Sequence, residues 1–234
     1  MNPHAYPPEG TAHPFEPYRP AAPSDDEVLA RGEAVIARFD ARRSVRMFST
    51  RPVPRRAVEL AVAAASTAPS GAHQQPWTFV LVGDPTLKAA IREAAEAEER
   101  ENYEGGRLPD GWREALEPLG TDWRKPFLER VPWIVVLFEQ RYGVADDGSR
   151  VHHYYVKESV GIAAGLFVAA VHEMGLATLP HTPSPMAFLR EVLGRPEHER
   201  PFALFPIGFP AADCVVPALG RKPLDEVLVE VAAT

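Results

Sequence analysis

The chain has 234 residues, 45% hydrophobic and 24% charged, a composition typical of a globular protein with one substantial core. A formal net charge of -7 provides no basic field for a polyanion, so nucleic acid is not an expected partner. One cysteine, Cys214, excludes an internal disulfide and a cysteine metal cluster, and no apolar run is long enough to span a membrane. The composition predicts a soluble, cytoplasmic protein.

The N-terminal residues 1–23 are predicted to form a disordered leader. They include seven of the 25 prolines and almost no aliphatic residues, so they cannot bury enough apolar surface to offset the entropy of ordering. Ser24 and Glu27 have capping-box spacing ahead of an apolar helical pattern, which predicts a first helix to about Asp40. The ordered domain is predicted to run from residue 24 to residue 234.

Helices and short strands are predicted to follow in turn. Alanine-rich residues 54–67 indicate a second helix, and the apolar run 77–83 indicates a strand. Asp84 and Pro85 suit the cap and first position of a third helix, whose pattern continues to Tyr103 before two glycines. Residues after this helix are expected to be looser.

In the second half, the run 133–140 has the length and β-branched content of a buried strand. Residues 153–174 are predicted to be helical, and because residues 160–171 carry no charge on any face, we expect this helix to be enclosed or to lie at a subunit interface. The last elements are strands over 176–180 and 201–208 with a helix over 184–194 between them. No glycine-rich phosphate loop follows a strand, so the prediction is a layered α+β domain.

Motifs for metal hydrolysis and serine-type catalysis are missing, since the sequence has no HExxH, GxSxG or CxxC, and no metal site is expected. The segment "RRSVR" is more informative. Arg42, Arg43 and Arg46 flank Ser44, and three guanidiniums within five residues suit a phosphate. The loop "APSGAHQQPW" adds Ser70 and backbone donors that can approach a flat polar ring, and "GRKPLDEV" adds a further basic segment.

These segments carry a resemblance to a known family. The motifs "RRSVR", "TAPSGAHQQPWTFV", "TDWRK", "HYYVKESVGIAAGL", "PIGFP" and "RKPLDEV" occur in the order and spacing of the iodotyrosine deiodinases, a branch of the nitroreductase superfamily of flavin enzymes. The resemblance runs from about Ala41 to the C-terminus. It implies a nitroreductase-like α+β fold, with a central mixed sheet flanked by helices, in an intertwined homodimer that binds FMN at the subunit interface.

The resemblance also implies a set of cofactor-binding residues. They are Arg42, Arg43, Ser44, Val45, Arg46, Pro69, Ser70, Gly71, Pro180, His181, Thr182 and Arg221. Thr182 falls where the family places a hydroxyl at the flavin N5, which favours stepwise electron transfer and makes it the implied catalytic residue. The family has threonines where this chain has Pro180 and His181, a departure that bears on the tuning of the flavin.

An active-site lid over about residues 95–126 is implied to close over the amino-acid end of a halogenated tyrosine. Glu99 would accept from the substrate ammonium, Lys125 would meet the carboxylate, and Tyr103 would cover the ring. The backbone N–H of Ala72 would meet the phenolate. The remaining charged residues at this helix end are interpreted as its solvated face: Glu96, Glu98, Arg100 and Glu101.

The implied function is FMN-dependent reductive dehalogenation of iodotyrosine, extending to bromo- and chlorotyrosine, with NAD(P)H or a reductase as electron donor. A broad NAD(P)H-dependent nitroreductase or quinone reductase is the alternative, although such an enzyme has no need of a zwitterion clamp. A flavin-binding protein without turnover is a third hypothesis. Members of the family carry an N-terminal membrane anchor that the leader cannot supply, so no membrane association is expected.

Overall fold

The computed structural model describes residues 6, 7 and 10–232, and the chain divides into two compact units, Met1–Asp40 and Ala41–Thr234. Residues 1–5 and 8–9 of the predicted leader lie outside the described residues. The described part of the leader contains no helix or strand and is almost entirely exposed. Its disorder, and a domain boundary before residue 24, stay predictions.

In the first unit, helix α1 spans Asp25–Asp40. Its start has the predicted capping box, because the Glu27 N–H donates to Ser24 Oγ (3.3 Å) and the Ser24 N–H donates to the Glu27 carboxylate (2.8 Å). Each residue therefore satisfies one backbone donor that the first turn of the helix would leave without a partner. No residue of α1 is buried.

In the second unit, the helices are α2 (Arg55–Ala65), α3 (Pro85–Tyr103), α4 (Asp110–Leu116), α5 (Phe127–Arg130), α6 (Val156–Glu173) and α7 (Ala187–Val192). The strands are β1 (Trp77–Val82), β2 (Trp133–Gln140), β3 (Tyr142–Val144), β4 (Arg150–His152), β5 (Ala177–Thr178) and β6 (Glu199–Gly208). The predicted first three helices, the strands around 77–83 and 133–140 and the last strand are confirmed. The cap of α3 is also confirmed, since Asp84 Oδ1 accepts from the Leu87 N–H at 2.9 Å.

The main sheet has four strands in the order β1-β2-β6-β5, and neighbouring strands pair antiparallel. A parallel bridge between Ser44 and Thr178 joins the "RRSVR" segment to its β5 edge. The side chains of β2 alternate between two apolar cores. Val135 and Leu137 face α2 and α6, whereas Ile134 and Val136 face α3, α5 and α7. Because β2 is buried on both faces, its sequence is a continuous apolar run, and the predicted layered α+β fold is confirmed.

One prediction for the segment around α6 is wrong. The helix begins at Val156 instead of residue 153, because Arg150–His152 pair with β3 in a hairpin and Tyr155 has a left-handed φ of 51°. Its own chain does not enclose the helix, since Ile162 is 46% and Leu166 38% exposed, and the alternative, a subunit interface on this helix, stays a prediction. One apolar face of α6 is thus open to solvent in the single chain.

Candidate active site

The C-terminal part of α3 supplies two of the predicted substrate contacts. Glu99 and Tyr103 stand four residues apart, so both side chains project from one face of the helix. Lys125 approaches the same face from the segment that precedes α5. Its Nζ lies 3.5 Å from Glu99 Oε2 and 5.5 Å from the centroid of the Tyr103 ring. The structure therefore brings together the three side chains of the predicted clamp.

The ion pair between Glu99 and Lys125 is shielded from water. The side chain of Lys125 is 3% exposed and that of Glu99 is 12% exposed. The ammonium also donates to Thr121 Oγ1 (3.4 Å) and to the carbonyl oxygen of Asp122. Lys125 is therefore held on several sides before any ligand is considered.

Burial acts against both charges of this pair. It raises the pKa of the Glu99 carboxyl, and the nearby Lys125 opposes that rise. It lowers the pKa of the Lys125 ammonium, and Glu99 opposes that fall. Burial and then Glu99 raise the pKa of Tyr103, against a hydrogen bond with Thr121, so its hydroxyl stays protonated at neutral pH. A pair of this kind contributes little to stability by itself, because desolvation offsets most of the attraction.

A cavity of about 330 Å³ contains these side chains. Its polar lining includes Arg46, Glu99, Tyr103, Thr121, Lys125, His181 and Thr182, and Pro180 lies beside them. Its apolar lining comes mostly from the region predicted to be loose: Leu108, Trp112, Leu116 and Leu119. Helix α4 and the turn after it thus form one wall of the cavity.

Two polar groups of the cavity have no partner among the described residues. His181 Nε2 is buried without a hydrogen bond, and no hydrogen bond or ion pair is found for the Arg46 guanidinium. Burial, followed by the positive charges of Lys125 and Arg46, lowers the pKa of His181 to about 3, so its ring is neutral. Burial also lowers the pKa of Arg46. A buried unpartnered nitrogen such as His181 Nε2 is costly and points to a ligand that would complete it, whereas the half-buried Arg46 guanidinium is a cation available at the cavity.

The other predicted phosphate-binding residues gather at a different place. Arg221 donates to the carbonyl oxygen of Arg42 (3.1 Å), and Arg43 donates to the carbonyl oxygen of Pro217. Arg42, Arg43 and Val45 line a second cavity of about 430 Å³. The "RRSVR" segment therefore contributes to both cavities, and the C-terminal segment brings a further guanidinium to its first arginine. Ser44 is held between them by its bridge to β5.

The loop with Pro69, Ser70, Gly71 and Ala72 is not part of the lining of either cavity. Ala72 has a left-handed φ of 49° and is exposed, and the Gly71 N–H donates to Ser159 Oγ at the start of α6 (3.2 Å). The Ser70 hydroxyl accepts from the Gln75 N–H (2.9 Å), which closes the loop on itself. One chain therefore forms the lid half of the predicted site but does not bring this loop to it.

One prediction on α3 is wrong. Glu96 does not belong to the solvated face, because its side chain is 16% exposed and accepts from the Lys125 backbone N–H at 2.6 Å. Glu98 pairs with Arg107 near the surface (2.8 Å). The spacing of Arg92 and Glu96, i and i+4, is the only sequence signal for a fixed carboxylate at that position. Thr121 and the apolar side chains of the cavity wall were not predicted as site residues from the sequence.

Two kinds of feature are absent from the described residues. No group of three or more histidine, cysteine, aspartate or glutamate side chains there could hold a metal ion. No helix in that part of the chain is long and apolar enough to cross a membrane. Cys214 is half-buried and free.

The chain is similar to known proteins over most of its length. The family model of the nitroreductase family matches residues 40–209. An iodotyrosine deiodinase of Haliscomenobacter hydrossis is 52% identical over 215 residues, covering 92% of this chain and 96% of that protein. Iodotyrosine deiodinase 1 of Mus musculus is 43% identical, covering 88% and 73%. A solved structure of oxidized iodotyrosine deiodinase bound to FMN and 3-iodo-L-tyrosine matches with a TM-score of 0.74 at 28% identity, covering 86% of this chain and all of that chain.

Proposed function

The chain belongs to the nitroreductase family and, within it, to the iodotyrosine deiodinases, and on that premise we propose that it removes iodide reductively from 3-iodo-L-tyrosine with FMN as cofactor. The observation that carries the substrate is the water-shielded pair of Glu99 and Lys125 beside Tyr103. The same site accepts bromo- and chlorotyrosine, because the amino-acid end of those substrates is identical.

The amino-acid end of the substrate replaces the internal ion pair with two new ones. Its ammonium binds Glu99 and its carboxylate binds Lys125, so each buried charge exchanges one partner for another. The cost of taking Glu99 and Lys125 out of water is already met in the folded protein, which favours a zwitterion. A nitroarene or quinone offers no charges to replace the pair, and it leaves the clamp closed.

The aromatic end of the substrate is held by Tyr103 and the apolar wall of the lid. Because the Tyr103 hydroxyl stays protonated, it acts as a hydrogen-bond donor and its ring covers the substrate ring. The side chains of Trp112, Leu116 and Leu119 line that end of the cavity and give it an apolar wall.

The described residues fit FMN. The Arg46 guanidinium offers donors to its phosphate, ribityl or ring oxygens, and the unpartnered His181 Nε2 offers a polar contact that donates or accepts according to the tautomer of the neutral ring. Arg42, Arg43 and Arg221 add the fixed cations that a doubly charged phosphate needs. When bound, reduced FMN supplies the two electrons with which the carbon–iodine bond is replaced by a carbon–hydrogen bond, with uptake of one proton and release of iodide.

Thr182 and Pro180 line the cavity, where they would lie beside the flavin ring. The Thr182 hydroxyl would serve as a hydrogen-bond donor to the flavin ring and is the catalytic residue of this proposal. The neutral ring of His181 places no extra charge beside the flavin, and this suits a position between two cations.

The active enzyme is a homodimer in which the loop with Pro69, Ser70, Gly71 and Ala72 completes the site of a second copy. The loop lies outside the cavities of its own chain, and its exposed Ala72 N–H is free to meet the substrate phenolate. The exposed apolar face of α6 with Ile162 and Leu166 supports a subunit interface. The exposed aliphatic side chains of the C-terminal segment, Val215, Leu219, Leu224, Val227, Leu228 and Val229, support a wrapped partner as well.

The electron donor is NAD(P)H or a separate reductase, and the protein acts in the cytoplasm. Cell fractionation and reduction of the flavin by NADH, NADPH or a flavin reductase test this part of the proposal.

An anaerobic reaction tests the function itself. The purified FMN-loaded protein is reduced with dithionite, and flavin reoxidation and iodide release are followed with 3-iodo-L-tyrosine and, in parallel, with a nitroarene. We expect one iodide per flavin reoxidized by iodotyrosine. Rapid reoxidation by the nitroarene without any iodide from iodotyrosine would support the broad nitroreductase instead, and bound flavin that neither compound reoxidizes would indicate a protein without turnover.

A further inference from the structure

Glu96 holds the backbone of the lysine whose side chain forms the clamp. It lies one helical turn before Glu99 on α3, and its Oε1 accepts from the Lys125 N–H at 2.6 Å. The Arg92 Nε donates to the same oxygen at 2.8 Å, and Arg92 also pairs with Glu129 at 3.3 Å. Two glutamates of one helix thus bind two ends of one lysine, its backbone amide and its ammonium.

The two glutamates stand on opposite sides of Lys125. Glu99 lines the cavity of about 330 Å³ that contains the clamp. Glu96 lines a separate groove of about 390 Å³ together with Arg92, Arg100 and Trp123. A ligand in the first cavity therefore contacts Glu99 and not Glu96, and any effect of Glu96 on such a ligand acts through Lys125.

Ligand binding affects the contacts of Lys125 with Glu99 and with Glu96 differently. In the proposed function, the zwitterion separates Lys125 Nζ from Glu99, so the contact that fixes the ammonium in the free protein is lost in the complex. The hydrogen bond from the Lys125 N–H to Glu96 does not compete with the substrate. A hydrogen bond to a carboxylate is also stronger than one between neutral groups, and Arg92 holds this carboxylate in place.

We propose that Glu96 is a positioning residue, which holds the lid backbone at Lys125 so that the ammonium stays in the cavity when the ion pair with Glu99 opens for a zwitterionic amino acid. The inference rests on the proposed function, because it assigns Glu96 a role in the binding of that substrate class. It predicts that Glu96 affects the selection of the amino-acid end and not the binding of FMN.

Three variants of the FMN-loaded full-length protein test this role: Glu96→Ala, Glu96→Gln and, as a matched control on the same helix, Glu98→Ala. Dissociation constants are measured for 3-iodo-L-tyrosine and for 2-iodophenol, which lacks the zwitterion, through quenching of flavin fluorescence. Loss of the hydrogen bond in Glu96→Ala should weaken iodotyrosine binding about tenfold and change 2-iodophenol binding less than twofold. Glu96→Gln keeps an acceptor oxygen and should recover most of the affinity, and Glu98→Ala should match the wild type.

Hydrogen–deuterium exchange in the ligand-free protein adds a readout of the contact itself. The peptide over residues 121–126 should exchange faster in Glu96→Ala than in the wild type or in Glu98→Ala. Equal exchange, equal iodotyrosine affinity, or an equal loss of affinity for both ligands in Glu96→Ala would overturn the proposal. Iodide release by the wild type is measured separately, so an inactive protein that keeps the Glu96 effect contradicts only the function, and an active protein without that effect contradicts only the role of Glu96.

Discussion

In the proposed function, the lid and the loop of residues 69–72 would hold the two ends of the substrate, but one chain assembles only the lid. In the lid, α3 and the segment before α5 are joined by the contacts of Lys125 with Glu96 and Glu99. The loop is joined to α6 by the hydrogen bond from the Gly71 N–H to Ser159 Oγ, and it does not line the cavity. Both regions are ordered by contacts within the chain, but only the lid directs its polar groups at a site in that chain.

This difference shows what a second copy would have to provide. The amino-acid end of the substrate needs charges that are close together, and neighbouring elements of one fold can supply them. In the proposal, the phenolate end and the flavin would take donors from a loop that lies outside the cavities of its own chain. The two regions should therefore respond differently to substitutions that separate the subunits and to those that damage the clamp.

The largest effect is expected from Ile162→Glu on the exposed face of α6. A carboxylate in the centre of an apolar interface costs several kcal/mol of association free energy, roughly the cost of burying an unpaired charge. We expect a monomer that has lost FMN, measured through light scattering after gel filtration and through flavin absorbance.

Leu60→Glu is the matched control for this substitution. Leu60 on α2 is as exposed as Ile162, 47% against 46%, but we assign it to no interface. A dimer that keeps its FMN in the Ile162→Glu variant would contradict the proposed role of the α6 face and of the shared loop.

Lys125→Ala should weaken substrate binding at the lid without changing the association of the subunits. It leaves the buried Glu99 carboxylate without its cation, and a broken buried pair costs about 3 kcal/mol or more. We expect iodotyrosine to bind about 100-fold more weakly, while the FMN content and the oligomeric state remain those of the wild type. Flavin fluorescence titration measures the binding of iodotyrosine and of FMN in one experiment.

Arg124→Ala is the neighbouring control, because Arg124 is 62% exposed and pairs with Asp122 at the surface. It should bind iodotyrosine as the wild type does. Loss of FMN from Lys125→Ala would mean that this residue belongs to the cofactor site and not to the lid.

Local patterns in the sequence predicted some of these features, and contacts between distant segments were not predictable in this way. The run 133–140 was identifiable as a strand because burial on both faces requires apolar residues throughout. Glu99 and Tyr103 could be placed on one face through helical spacing. The position of Lys125 against that face is tertiary, and only the family resemblance indicated it.

Other features carry little local signal. Only its i, i+4 spacing from Arg92 distinguishes Glu96 from Glu98 in the sequence, and the docking of the segment with Lys125 onto α3 decides which of the two is shielded. The strands of the β3–β4 hairpin have three residues each, too few for a recognisable alternation. Helix α4 is a short amphipathic segment between loops, and its role as a wall of the cavity depends on the position of the lid.

Gly71→Ala, in the loop of residues 69–72, should moderately lower the stability of the protein and its affinity for FMN. A Cβ at this position would lie 2.6 Å from the carbonyl oxygen of Tyr154 and 3.1 Å from the ring of Tyr155. The backbone must therefore move, at a cost of about 1–3 kcal/mol. We expect a lower free energy of unfolding and weaker FMN binding, measured through urea titration and flavin release.

Gly32→Ala in α1 is the control, since no atom lies within 4 Å of a Cβ there and alanine is favoured over glycine in a helix. Its stability should equal or exceed that of the wild type. Equal stability and equal FMN affinity in Gly71→Ala would show that the loop tolerates a shift, and its close packing would then not fix the proposed donor at Ala72.

The smallest change in the free energy of unfolding at neutral pH is expected from His181→Thr, in the lining of the cavity that contains the clamp. The pKa of His181 is about 3 in the folded protein and 6.5 as the ordinary value, so between these values the unfolded chain binds more protons than the folded one. The histidine therefore makes the free energy of unfolding fall as the pH drops below 6.5, by about 1.4 kcal/mol per pH unit. Above pH 6.5 both states are neutral and this dependence vanishes.

Urea titrations of the wild type, His181→Thr and His181→Gln at pH 7.5, 6.0 and 5.0 isolate this dependence. The raised pKa of Glu99 and the lowered pKa of Lys125 contribute in all three proteins and cancel in the differences. Both variants should lose stability less steeply than the wild type below pH 6.5. If the free energy of unfolding depends on pH equally in all three proteins, the His181 ring is hydrated or paired in the folded protein. Its Nε2 would then not be an unpartnered group that can bind FMN.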